Sequence, residues 1–374
     1  MAGKKIVYIC ESIGGGVRRH LLDLINNIDT TKYEVYLIYG ADERLDEVFI
    51  QEKQSLQKKG IILYQIKDFQ RNINVKKDII SILKLTQLLK SIKPDLVHCH
   101  SSKAGAIGRI ASFLLGIKDV FYTPHGYFFL NENMNNTKKY TFIWIEKVLS
   151  FLSKKIIHVS FSEEKKALDY NVVKKEKSIV IYNGINAISF SKKLDDNPKK
   201  VIGTIARMDA QKNPQKFIDI AEEMCYVDDN VEFWYIGSGE YFESINKKIK
   251  SQGLENRIRL LGFKPNATEF LSNFDVFLST SLYEGMPYAL IESMSVGIPV
   301  VASNVTGNSE IVINGYNGFT FELNDRKEAV DKINRLINDE SLRKETSEHS
   351  VSEYKKKYSL ESMIYQYEEL YDKN

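Results

Sequence analysis

Three cysteines in 374 residues, Cys10, Cys99 and Cys225, are too few and too far apart for a disulfide scaffold. They show no CxxC spacing, which argues against a cysteine zinc site and fits a reducing compartment, the cytoplasm. Charge of one sign is also short. Fifty-two Lys plus Arg stand against 49 Asp plus Glu, a net charge of +3. That balance does not drive nucleic-acid binding, so any basic partner site must be local. No apolar run approaches the roughly 20 residues that cross a bilayer. The opening MAGKKIVYICESIGGG sets two lysines before an apolar stretch of only about five residues, shorter than a signal peptide's core. Neither export by that route nor membrane integration is expected. There is no Asp-x-Asp triplet, no HExxH and no histidine grouping that suggests a metal.

What is present is an alternation of two periods. The length is about twice that of a common single domain, and 43% of residues are hydrophobic, so two domains are expected. In the first half, β-rich runs at 5–10, 33–39, 61–66, 95–99, 120–123, 156–160 and 178–182 alternate with helical patterns such as 17–28, 77–91, 104–115 and 141–153. Strands separated by helices imply right-handed crossovers and a parallel, doubly wound sheet. The turn Asn183-Gly184 then leads into a polar stretch, KKLDDNPKK with Pro198, that reads as a linker over 184–200. From Val201 the alternation resumes, with strands at 201–206, 231–236, 257–261, 276–280 and 299–302. The expectation is an α/β chain of two Rossmann-like doubly wound domains, 1–183 and 201–357, facing across a cleft at the carboxyl ends of their strands. Met363, Ile364, Tyr367 and Leu370 at helical spacing predict a final helix over 360–371, so that 358–374 packs back on the first domain.

Three loops carry chemistry. Gly14, Gly15 and Gly16 lie between the first strand and first helix, where small residues let backbone N–H groups approach a phosphate. The pattern is not GxGxxG, because Arg18 and Arg19 fill later positions, and a tight turn without a ligand is the alternative. In GTIARMDAQKNP, Arg207 and Lys212 lie on the loop after a strand; a guanidinium fork and an ammonium suit a diphosphate. Only 11 of the 52 basic residues are arginine, so an Arg at this position is less easily read as solubilising charge. In STSLYEGMPYALIESMSVGIPVV, Glu284 precedes a helix and Glu292 lies on it. Pro287 fits the first-turn position, and N–H groups near Met286 to Ala289 would meet an incoming anion. Two carboxylates flanking such a helix start can accept hydrogen bonds from a sugar and a ribose.

Other features keep two readings each. His98, His100, Ser101, Ser102 and Lys103 end a strand of the first domain and either bind an acceptor phosphate or sugar, or pack and hydrogen-bond beside the glycine loop. His20, His158 and His349 have no partner pattern and read as structural or exposed. TKKYTFIWIEKVLSFLSKKI mixes aromatics and lysines on a helical pattern, as a membrane-surface helix or as ordinary core packing.

On the Glu284/Glu292 string, the Arg207 and Lys212 pair, the Gly14–Gly16 loop and His125-Gly126 after a strand, the chain resembles the retaining glycosyltransferases of family four, with their GT-B architecture. The strings HCHSSKAGAIGR and YTPHGYFF look like members that build bacterial capsule, O-antigen or related surface polysaccharides. The resemblance implies that Arg207 and Lys212 hold the donor diphosphate, with Gly15, Gly16 and the Gly285, Met286, Pro287, Tyr288 helix start beside it. Glu292 would hold the ribose, Glu284 the donor-sugar hydroxyls, and His125 the sugar's C6 side. Backbone around Gly262 and Phe263 would receive the base, and the Gly237-Ser238-Gly239 turn would leave room for the nucleotide. The motif departs from the family at VTGNSE, where Thr306 replaces a glycine, and no role is carried onto that loop. The implied reaction is front-face transfer from a nucleotide-sugar, UDP-linked by resemblance, to a polyprenyl-linked saccharide at the inner face of the membrane. It needs no cofactor, no metal and no nucleic acid. A sugar-nucleotide 2-epimerase and a non-catalytic nucleotide-sugar binder are the alternatives.

Overall fold

The structure is a computed structural model describing residues 3–40, 47–70, 72–130, 134–188 and 199–373. The linker stretch 189–198, with Pro198, lies outside the described residues. The chain forms two compact units, Met1–Asn183 with Met363–Asn374, and Gly184–Ser362.

The first unit alternates β1 (Lys4–Cys10), α1 (Gly15–Asn27), β2 (Tyr33–Gly40), α2 (Glu47–Lys58), β3 (Ile62–Ile66), α3 (Val75–Ile92), β4 (Leu96–His100), α4 (Ser102–Leu114), β5 (Val120–Thr123), α5 (Asn136–Ser150), β6 (Lys155–His158), α6 (Phe161–Asp169) and β7 (Ser178–Val180). All strands are parallel, in the order β3-β2-β1-β4-β5-β6-β7. Helices on both faces explain why β1 and β2 read as near-continuous apolar runs rather than alternating ones: from Ile6 to Cys10 every residue is buried. Each such aliphatic side chain contributes about 1.5–3 kcal/mol on burial. Strand order reverses between β1 and β4, so the loops after these two strands emerge together, where α/β sheets bind ligands.

The second unit runs β8 (Lys200–Ile205), α7 (Pro214–Val227), β9 (Val231–Ile236), α8 (Phe242–Ser251), β10 (Ile258–Gly262), β11 (Val276–Ser279), α9 (Tyr288–Ser295), β12 (Val300–Ser303), α10 (Asn308–Ile311), β13 (Gly318–Phe321), α11 (Arg326–Asn338) and α12 (Glu340–Glu353). Its parallel sheet has the order β10-β9-β8-β11-β12-β13, with the reversal between β8 and β11. Phe217, Phe233, Tyr235, Leu278 and Ile333 fill its core. The edge strand β13 was not expected; GFTF opens on glycine and is only four residues long, too short for a period to show.

The last helix, α13 (Leu360–Asp372), returns to the first unit. Its Met363, Tyr367 and Tyr371 are buried. The Lys4 ammonium donates to Tyr371 O at 2.7 Å, and the Asp29 N–H to Glu368 Oε1 at 2.8 Å, which ties the helix to the start of β1 and to the turn that enters β2. Among the described residues no helix is long and apolar enough to cross a membrane.

Candidate active site

At the β8/β11 reversal the two loops are laced together. The Leu282 N–H donates to Gln211 O at 2.8 Å, Gln211 Nε2 to Tyr283 O at 3.1 Å, and Thr280 Oγ1 to Lys212 O at 3.1 Å. This lacing sets the Lys212 ammonium on Glu284 Oε1, which also accepts from Ser281 Oγ at 2.6 Å. The pair is half-sunk, with side-chain exposures of 21% for Lys212 and 7% for Glu284. Thr306 and Gly307 brace it from behind. The Glu284 N–H donates to Thr306 O at 3.0 Å, and a Cβ on Gly307, at φ +87°, would lie 2.7 Å from Glu284 O. The loop to which no role was carried is therefore the backing of the acidic loop.

Arg207 reaches outward, 68% exposed, with Nη2 2.9 Å from Asp209 Oδ2. Asp209 also accepts from the Lys212 N–H at 3.1 Å, so one carboxylate steadies both cations' loop. The Gly237-Ser238-Gly239 turn lies flat on this loop: a Cβ at Gly237 would stand 1.8 Å from Ala206 O, and Met208 N–H donates to Ser238 O at 2.9 Å. Only glycine permits that approach. The Gly237 N–H in turn donates to Gly262 O at 2.8 Å, and the next residue, Phe263, projects into solvent.

Pro287 is the N-cap of α9, not a first-turn residue as expected, because its φ of −74° also suits a capping residue whose ψ of 109° is extended. The positive end of α9 therefore begins one residue later, at Tyr288. Met286, just before the cap, is buried. Glu292, one turn further on, is buried too.

In the first unit, Gly14 caps α1 in extended backbone and Gly15 takes the left-handed conformation, φ +59°; Gly16 follows, exposed. Across the β1/β4 reversal stands Glu11, a residue no motif singled out. It is buried, accepts from the Ser101 hydroxyl and from Ala104 N–H at 3.2 Å, and so caps α4; burial raises its pKa. Ser101 adopts φ +80°, a strained conformation for a side-chain-bearing residue. Ser102 opens α4, partly exposed. Lys103 is committed to Asp78 Oδ1 at 2.6 Å.

The histidines divide. His98 packs in the core, since Nδ1 lies 2.6 Å from Tyr371 OH and Nε2 2.8 Å from Thr123 Oγ1, leaving no ring nitrogen for an acceptor. The C-terminal helix is the cause: it covers that face of β4. His100, buried on the same face, is likewise out of an acceptor's reach, but its Nδ1 lies 3.0 Å from His125 Nε2. His125 is partly exposed and has φ +56°; the next N–H, of Gly126, donates to Glu163 Oε1 at 2.7 Å. His20 closes the group, its ring centroid 4.6 Å from that of His125 and its Nδ1 2.9 Å from Asn183 Oδ1. Ring nitrogens of His20, His100 and His125 lie within 4.8 Å of one another, close enough that three imidazoles could turn onto one metal ion. Burial holds all three pKa values below the usual imidazole range, so the rings are neutral. A metal would have to break the His100–His125 hydrogen bond. Sequence reading missed this cluster because its members come from three separate places in the chain, His20 from within α1, His100 from the end of β4 and His125 from the loop after β5.

Residues 186–353 match the family described as glycosyl transferases group 1, and residues 14–187 match glycosyltransferase family 4. The chain is 32% identical over 287 residues to an Escherichia coli UDP-Gal:alpha-D-GlcNAc-diphosphoundecaprenol alpha-1,3-galactosyltransferase, covering 73% of this chain and 74% of that one. It is 30% identical to the Staphylococcus aureus capsular polysaccharide biosynthesis glycosyltransferase CapM, covering 81% of this chain and 83% of the relative. The Anabaena protein HepE, solved in complex with UDP, superposes with a TM-score of 0.82 at 21% identity over 99% of this chain and 100% of that one. With two parallel Rossmann-like units and these relatives, the chain belongs to the family four, group 1 glycosyltransferases and has their GT-B fold.

Proposed function

We propose that this glycosyltransferase moves a sugar from a UDP-sugar to a polyprenyl-linked saccharide, with retention of configuration and without a metal, in bacterial surface polysaccharide synthesis. The carrying observation is the Lys212–Glu284 pair on laced loops at the β8/β11 reversal, a cation and a carboxylate built side by side at a ligand-binding edge. Relatives acting in capsule synthesis and on a diphosphoundecaprenol acceptor support the choice of pathway and acceptor.

In this reading Arg207, Lys212 and the positive end of α9 take the charge that grows on the departing diphosphate. The acceptor hydroxyl attacks the anomeric carbon from the side the phosphate leaves, and a phosphate oxygen takes its proton. Glu284 accepts from donor-sugar hydroxyls, Glu292 from the ribose, and His125 meets the C6 side. Ser102 and the start of α4 face the acceptor. The enzyme works at the inner membrane surface, for which α5 is shaped. Tyr140, Trp144, Val148 and Phe151 form an exposed apolar stripe, while Ile143, Glu146 and Leu149 face inward. Incubation with a nucleotide-sugar panel, with and without GlcNAc-diphosphoundecaprenol, tests the function. Release of UDP only in the presence of acceptor is expected; an epimerised sugar nucleotide, or no turnover on any donor, would overturn it.

A further inference from the structure

Behind His125 stands His100, a buried residue with no assigned role. We propose that His100 is a positioning residue that fixes the tautomer of His125, holding its proton on Nδ1 so that an N–H faces outward.

A neutral imidazole carries one donor and one acceptor nitrogen. At 3.0 Å, His100 Nδ1 and His125 Nε2 share a single proton, and the direction of the bond depends on the far nitrogens. His100 Nε2 is buried and has no hydrogen-bond partner among the described residues. If the proton were there, a buried N–H would be orphaned, the rarer and more adverse of the two vacancies. With the proton on Nδ1, His100 donates to His125 Nε2 and buries only a lone pair. His125 must then carry its own proton on Nδ1, which meets no protein partner among the described residues.

The surroundings keep this geometry in place. His98, fixed through both nitrogens, packs on His100 at 4.1 Å between centroids, and His20 stands edge-on to His125 at 4.6 Å. The Asn183 carbonyl oxygen orients His20 through Nδ1. The left-handed backbone of His125, braced by the Gly126–Glu163 bond, brings its ring to His100.

The inference rests on the reading that His125 meets the donor sugar, but its direct test does not. Nitrogen-15 imidazole NMR of the wild-type protein reads the His125 tautomer without an activity assay. The expected result is a proton on Nδ1, retained in His100→Asn, whose amide N–H stands where Nδ1–H stood, and lost to a tautomer mixture in His100→Leu. The kcat for transfer should follow the same order, near wild type for Asn and about tenfold lower for Leu, the loss of one orienting hydrogen bond. A proton on His125 Nε2 in the wild type overturns the proposal, whether or not the Leu variant folds. So does an unchanged tautomer and kcat in a folded His100→Leu. Normal transfer by His125→Ala would instead remove the reading of His125 at the sugar, leaving the tautomer result to decide on His100.

Discussion

Replacing Glu284 with glutamine tests whether Lys212 is held in readiness for a diphosphate. The lysine sits on Glu284 Oε1, and the carboxylate also accepts from Ser281 Oγ at 2.6 Å. A diphosphate that recruits Lys212 must draw it from this carboxylate or share it, and must also approach the carboxylate's negative charge. Partly exposed ion pairs contribute up to about 1 kcal/mol, and 1.4 kcal/mol is a factor of ten, so Glu284→Gln should tighten UDP binding about fivefold. The amide oxygen still accepts from Ser281, and the backbone bond to Thr306 is untouched, so the loop stays in place. Transfer should move the other way. A hydrogen bond to a charged group contributes about 1.5–3 kcal/mol, and its loss at the sugar lowers kcat/KM about tenfold to a hundredfold.

Isothermal titration with UDP, at low salt and at about 1 M salt, where the Debye length is about 3 Å, measures the first effect. The gain should shrink with salt, because it is a charge competition. Glu292→Gln is the control, expected to weaken UDP and the intact donor alike. If Glu284→Gln instead loses UDP affinity as Glu292→Gln does, Lys212 needs its carboxylate to reach the phosphate, and the opposition between the two partners is refuted.

Other expectations follow from the same geometry. Arg207→Ala should lower donor affinity and turnover by about one to two orders of magnitude while leaving the melting temperature nearly unchanged, since its side chain is mostly exposed; unaltered donor binding by calorimetry would remove it from the diphosphate site. Turnover at saturating donor should persist in EDTA; loss that zinc restores, and that His20→Ala prevents, would make the His20, His100, His125 group a metal site. Trp144→Ser with Phe151→Ser should reduce sedimentation with anionic phospholipid vesicles without changing the melting temperature, and equal co-sedimentation would detach α5 from the membrane role. His20 and His158 are held down at about 4 by burial, whereas an unfolded imidazole titrates near 6.5. The unfolded chain thus binds more protons between those values. Stability is full above about pH 6.5 and falls toward pH 4, by at most about 1.4 kcal/mol per pH unit for each ring; urea melts at several pH values should show a shallower slope for His158→Gln.

Much of the fold was legible because burial on both faces leaves a strong trace. KIVYIC and VYLIY read as strands of a covered parallel sheet, and the helical spacing of Met363, Tyr367 and Leu370 announced a helix with one buried face. The failures are local. The strand Gly318–Phe321 is too short for its period to show, and its place is set by pairing with β12, from Val300↔Gly318 to Ser303↔Phe321. Pro287 was placed one residue too far into α9, because a fixed φ is equally at home at a cap.

The site was legible in its loops and opaque in its network, and the reason is physical. A loop after a strand is read from residue types that are costly elsewhere, such as the glycines that approach Ala206 and Met208 or a buried glutamate. Which buried polar group meets which depends on contacts that no period encodes. Lys212 and Glu284 are 72 residues apart, His20 and Asn183 are 163 apart, and His20 and Tyr367 are 347 apart. His98 and His100 show the limit well. Their spacing of two puts both on one face of β4, so sequence could say that they share surroundings. It could not say that α13 would cover that face and take His98 Nδ1 through Tyr371, that Thr123 of β5 would take Nε2, and that His100 would be left to reach His125. The chemistry-bearing residues announce themselves one at a time; the partnership of His100 with His125 becomes visible only when α13 closes over β4 and fixes His98 beside them.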